Sequence, residues 1–174
     1  MNSKKMPELS LAVQYASTAQ NLPTRAQLRR WVKAAVQRDV RITLRIVDKA
    51  EGRELNKNYR GKDYATNVLT FVYDDEQTPP GLPLCEHPLR GLPAYPTSGE
   101  EILTGDVVIC APVVEKEAHE QHKDLLAHYA HLAIHAALHL QGYDHENETD
   151  AAKMEALETR LMLKLRYPDP YQET

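Results

Sequence analysis

A chain of 174 residues, 42% hydrophobic and 26% charged, has the size and composition of one globular domain able to bury its own core. Cys85 and Cys110 form no C-x-x-C pair, which argues against a disulfide framework or a cysteine-built metal site. No apolar run approaches the roughly 20 residues of a membrane span, and residues 1–8 lack the apolar stretch of a secretion signal, so a cytoplasmic protein is expected. The net charge of −4 is unevenly spread: residues 25–62 hold twelve Lys and Arg against four Asp and Glu, while the rest of the chain after residue 62 is acidic. Charge thus permits a polyanionic partner such as nucleic acid without demanding one.

In chain order, residues 9–15 alternate apolar with polar or small side chains and predict a first strand. Thr24 is a candidate N-cap for a helix over 24–38, with Leu28, Trp31, Val32, Ala35 and Val36 at helical spacing and Trp31 as a core anchor. Val40, Ile42, Leu44 and Ile46 alternate with Arg41, Thr43 and Arg45, predicting a half-buried strand with a basic outer face. A short helix over 49–59 leads into the polar turn Arg60-Gly61-Lys62-Asp63, and strands follow over 67–73 and 106–110. Between these last strands, residues 74–104 hold six of the eleven prolines and read as an extended loop insertion within a single domain spanning 1–174. Helices are predicted over 113–121, 125–141 and 147–166, the last with Met154, Leu157, Leu161 and Leu165 facing inward.

The Ala- and Leu-rich helix over 125–141 carries His135 and His139, which at i and i+4 point the same way about one turn apart. Gly142 lets the backbone leave the helix with positive φ, and a turn through Tyr143-Asp144 can return His145 to the same face. Three neutral imidazoles with an open fourth position form the ligand set of a catalytic zinc site. His131 shares the stripe, but eight residues span roughly 12 Å of helix, too far from His139 for one ion, so it reads as packing or as support for a ligand. His87, His119, His122 and His128 have no such spacing and are expected at the surface. The spacing H-x3-H-x2-G-x2-H also occurs in zinc peptidases, but there a Glu follows the first His as general base, and here that position is Ala136.

Several blocks occur together: Leu55-Asn56-x-x-Tyr59-Arg60-Gly61-Lys62-Asp63, Thr66 to Phe71, Gly105 to Cys110, the segment from His135 to His145, and Met154-Glu155-Ala156-Leu157-Glu158. In content and order they resemble the YbeY family, zinc-dependent bacterial endoribonucleases implicated in ribosomal RNA maturation. The resemblance implies that His135, His139 and His145 bind one zinc ion per chain, and that Arg60 is the functionally important arginine, binding substrate. A guanidinium can hold a phosphate bidentately and stays charged throughout the working pH range. The expected activity is cleavage of single-stranded ribosomal RNA, in maturation of the small-subunit RNA 3′ end and in ribosome quality control. Water activated at the metal would attack the phosphodiester while Arg60 stabilises the non-bridging oxygens. Expected partners are RNA, ribosomal subunit proteins and an exoribonuclease.

The fold expected with this activity is α+β: a small mixed four-stranded sheet covered by about five helices, one of them a zincin-like metal-binding helix. Asp144 is a candidate for proton transfer or for orienting the site, with capping of the turn as the alternative role. Ala136 and Gln141 stand where the family commonly has Gly and Leu, and the proline-rich insertion is longer than usual there. Two other readings compete with the ribonuclease: a zinc peptidase, and a non-catalytic ribosome assembly factor whose metal is structural. Cys85 or His87 could close the site for the structural reading by supplying a fourth ligand.

Overall fold

The computed structural model describes residues 5–73 and 102–172. Four strands and five helices follow the order β1 (Leu9–Ala16), α1 (Arg25–Ala35), β2 (Val40–Val47), α2 (Lys49–Arg60), β3 (Val68–Tyr73), β4 (Leu103–Cys110), α3 (Ala111–Glu120), α4 (Leu125–Leu140) and α5 (Glu148–Lys164). The sheet runs β1-β2-β4-β3, with β1, β2 and β4 parallel and β3 antiparallel on the outside of β4. This is the expected α+β architecture, a four-stranded mixed sheet with five helices. No helix among the described residues is long and apolar enough to cross a membrane.

The helix starts are chemically marked. Thr24 accepts from the Gln27 amide while the Gln27 side chain accepts from the Thr24 amide, a reciprocal capping box that opens α1. Asp124 and Asn147 cap α4 and α5 by accepting from Ala127 N and Asp150 N, both at 2.9 Å. Helix α3 follows β4 without a loop, and its Pro112 falls in the first turn, where a missing N–H costs nothing.

Helices α1, α4 and α5 pack on one sheet face over a core containing Val13, Trp31, Leu44, Ile46, Ile109, Ile134, Leu138 and Met162. Trp31 is fully buried, edge-on to Tyr167. A smaller core on the other face joins Val47, Leu69, Val108 and Cys110 to Leu55 of α2. Met154 is a buried core side chain, and Cys110 is a buried free cysteine.

The largest departures from the sequence reading are two element boundaries and the surroundings of one strand face. Strand β4 begins at Leu103, three residues before the predicted start, because residues 103–105 pair with 40–42 of β2 and residues 104 and 105 with Tyr73 and Val72. Gly105 conceals this continuation from propensity, yet its bare Cα is required. A Cβ there would lie 2.8 Å from both Leu140 Cδ2 and the Phe71 carbonyl oxygen. Helix α1 stops at Ala35 rather than 38, since Val36 is extended (φ −78, ψ 128) and the Gln37 amide donates to Gln141 Oε1 at 2.8 Å. The basic outer face of β2 is half-buried as predicted, but it is partly covered by α2: Thr43 is buried, and Arg45 pairs with Glu51 of that helix at 2.7 Å. The proline-rich insertion, with Cys85 and His87, lies outside the described residues except for its last three positions.

Candidate metal centre

Alanines 127, 130, 133, 136 and 137 let α4 lie closely against its neighbours, so the helix is buried around much of its girth. His131, His135 and His139 emerge on its less covered side. The His135 and His139 rings are stacked, 8° from parallel with centroids 6.2 Å apart. After Leu140 the amides of Gly142 and Tyr143 return to the His139 and Leu138 carbonyls, and Gly142 takes φ +97, a conformation that side-chain-bearing residues rarely adopt. The turn places the His145 ring 5.8 Å from that of His135 and 6.1 Å from that of His139. The three predicted imidazoles therefore form a nearly equilateral triangle.

Hydrogen bonds define the ring states of two of them. His139 Nδ1 lies 2.9 Å from the Tyr143 carbonyl oxygen, which can only accept, so Nδ1 carries a proton and Nε2 is the nitrogen that supplies the lone pair of the neutral tautomer. His135 Nδ1 lies 2.5 Å from Glu158 Oε1 and donates to that carboxylate, with the same result. The tightest group of potential ligand atoms differs from the predicted triad: one atom each from His139, Asp144 and His145 lie within 4.8 Å of one another. Asp144 also accepts from the His145 amide at 2.6 Å, combining its cap-like role with a place at the cluster. This donor set of imidazole and carboxylate, with the His139 ring held by a hydrogen bond behind it, fits a metal ion.

Glu158 is the participant that sequence spacing missed. It is wholly buried, and its second oxygen accepts from His131 Nε2 at 3.2 Å and from the Tyr171 hydroxyl. Burial pushes its pKa up, but the hydrogen bonds from His131, His135 and Tyr171 outweigh burial and hold it down at about 2. The signal was present in the sequence: 154, 158, 161 and 165 form one helical stripe, and a carboxylate interrupts three apolar residues. His131 lies outside the ring triangle, and its Nε2 hydrogen-bonds to the Glu158 carboxylate.

His128, expected at the surface, is buried instead, with Nε2 2.9 Å from Glu117 and Nδ1 without a hydrogen-bond partner among the described residues. Asn67 donates to the same Glu117 carboxylate. His119 and His122 are exposed, as predicted. A cleft of about 320 Å³ runs beside α4, lined by Asn67, Glu117, His128, His131, His135 and Tyr171. Arg60 is exposed at the last position of α2, followed by Gly61 in the left-handed conformation (φ 68). The Tyr59 ring beside it meets Phe71 of β3 edge-on at 5.3 Å. Arg60 stands on α2, whereas His135 and His139 stand on α4 and His145 in the turn after it; α2 and α4 both reach β3.

Fold and cluster together define an α+β protein with a His-Asp-His group able to hold a metal ion. The family described as endoribonuclease YbeY matches residues 12–166, and the chain belongs to that family. Among its relatives, the endoribonuclease YbeY of Nitrosospira multiformis is 58% identical over 168 residues, covering 96% of this chain and 84% of that protein. The corresponding protein of Thiobacillus denitrificans is 50% identical, covering 95% of this chain and 97% of its own. The solution structure of TM1509 from Thermotoga maritima aligns with a TM-score of 0.48 at 24% identity, covering 93% of this chain and 99% of that one.

Proposed function

We propose that this chain is a zinc-dependent endoribonuclease that cleaves single-stranded ribosomal RNA, with His135, His139 and His145 holding the metal. The observation that carries the reading is the ring triangle whose His135 and His139 have their Nδ1 protons directed away into Glu158 and the Tyr143 carbonyl. Family membership and relatives named endoribonuclease YbeY supply the class of reaction. A zinc ion bound there would supply Lewis acidity toward a phosphoryl oxygen and would acidify water.

The chain's own residues do the rest. Glu158 and the Tyr143 carbonyl hold protons at Nδ1 of His135 and His139, which leaves Nε2 of each ring as the atom that faces a metal. Arg60, exposed and at a helix end, is the group that grips the substrate phosphate, its planar fork matching two non-bridging oxygens. The cleft beside His135 gives the strand a path along α4. Asp144, whose carboxylate lies within 4.8 Å of ligand atoms of His139 and His145, takes part in orientation or proton transfer at the cluster. Maturation of the small-subunit RNA 3′ end, ribosome quality control, ribosomal protein and exoribonuclease partners and a cytoplasmic location belong to the same proposal.

A peptidase reading is disfavoured because the general-base position is Ala136, a wholly buried methyl. The test is zinc content and cleavage of ribosomal RNA fragments, single-stranded beside structured, on the same preparations of wild type and His139→Ala. About one zinc per chain and cleavage, both lost in the variant, support the reading. Cleavage retained in His139→Ala overturns it, and zinc bound without cleavage favours a structural metal.

A further inference from the structure

Glu158 stands in the apolar stripe of α5 among Met154, Leu161 and Leu165, with no part of it exposed. No Lys or Arg pairs with it among the described residues. A buried carboxylate without a cationic side chain is expensive unless hydrogen bonds saturate it, and here every donor comes from the candidate metal centre or its border. One oxygen accepts from His135 Nδ1, and the other accepts from His131 and Tyr171. Tyr171 lies beyond the residues matched to the family. Its segment is itself fastened, since Lys123 Nζ donates to the Pro170 carbonyl at 2.8 Å and Thr159 Oγ1 to Asp169 at 3.1 Å.

We infer that Glu158 is a positioning residue: it keeps the His135 proton on Nδ1 and aims Nε2 at the metal, while His131 and Tyr171 fix the carboxylate from behind. This rests on the reading of His135 as a ligand. The chemistry is a proton-location argument. A free neutral imidazole prefers its proton on Nε2, the atom needed for ligation, and only an acceptor behind Nδ1 reverses that preference. Glu158 is that acceptor for His135, as the Tyr143 carbonyl is for His139. A bolt that merely joined α5 to α4 would serve stability alone, whereas a positioning residue also sets the His135 tautomer.

The experiment uses the full-length chain and three variants. Glu158→Leu continues the apolar stripe and removes the acceptor; Glu158→Gln keeps the shape and removes the charge; Tyr171→Phe removes one donor at a half-exposed side chain. Nitrogen NMR of the metal-free proteins reads the His135 tautomer, and competition with a chelating dye reads zinc affinity. In wild type His135 carries its proton on Nδ1; in Glu158→Leu the population moves to Nε2. Zinc affinity falls about 10- to 100-fold in both Glu158 variants, and by only a few-fold in Tyr171→Phe. An unchanged tautomer and unchanged affinity in the Glu158 variants overturn the inference. Should those variants fail to fold, an Nε2-protonated His135 in the wild type, or no change of the His135 nitrogen shifts in Tyr171→Phe, overturns it instead. Failure of wild type to bind zinc overturns the proposed function, and the metal-free tautomer still decides the role of Glu158.

Discussion

Gln141 Nε2 lies 3.0 Å from the Ala35 carbonyl oxygen, so a side chain from the histidine-bearing turn closes the last turn of α1. The same amide group donates to Ala137 O at 2.9 Å and accepts from Gln37 N at 2.8 Å. Gln141→Leu, which leaves the Ala35 carbonyl and Gln37 amide without this partner, is expected to destabilise the fold by about 1–3 kcal/mol. Urea unfolding of the metal-free protein measures it, and an equal midpoint in both proteins would show the bonds to be replaced by water.

The two overlapping donor sets make opposite predictions. If His135, His139 and His145 hold the metal, His135→Ala lowers zinc affinity by several powers of ten and Asp144→Ala by at most about 10- to 100-fold, the scale of an outer partner. If the tighter group of His139, Asp144 and His145 is the site, the order reverses. Isothermal titration of both variants decides between them.

Arg60→Glu is expected to leave zinc stoichiometry unchanged and to lower RNA cleavage by about 10²-fold or more, the usual scale for loss of one charge-stabilising group. Arg60 is exposed and stands on a different helix from the histidines, so its replacement has no reason to disturb them. Zinc lost together with cleavage would contradict this division.

Gly105→Ala is expected to cost about 1–3 kcal/mol, because the added methyl meets a backbone oxygen of β3 as well as the flexible end of Leu140. Thermal melting reads the loss. Leu140 directly follows His139, so a perturbed His139 resonance should accompany it.

Acid lability follows from two groups. Burial opposes the charged form of His128 more than Glu117 favours it, so its pKa is lowered from 6.5. Below about pH 6.5 the unfolded chain gains a proton that the folded chain refuses, and stability falls with pH. The depressed Glu158 carboxylate contributes stability above its ordinary 4.5, and that contribution is lost as pH falls toward about 2. Melting curves taken in a chelator should show a decline beginning below pH 6.5 that is shallower in His128→Gln, and a second decline below 4.5.

Much of this was legible in the chain because strand alternation and helix caps are local properties. Val40 to Ile46, Thr24 and Gly142 each declared their elements without reference to anything distant. What escaped depended on a partner far away in sequence. Arg41 and Arg45 alternate like solvent-facing residues, but α2 covers that face and supplies Glu51. His128 was read as though α4 had one buried side, whereas residues 127–130 are all buried. Glu158 carried a visible anomaly, a charge in an apolar stripe, yet only the tertiary structure says that the charge serves His135 and His131. Tyr171 belongs to no periodic segment, so nothing in the pattern pointed to it.

The strand order has a kinetic consequence. Strands β1 and β2 can meet through α1 early in synthesis, but β3 has no neighbour until β4 emerges and inserts between it and β2. Closing so long a stretch of chain is entropically slow. A nascent protein must therefore wait for Leu103–Cys110 before the sheet is whole, and a ribosome stalled earlier would hold a two-strand fragment whose apolar face has α1 but lacks the cover of α4 and α5.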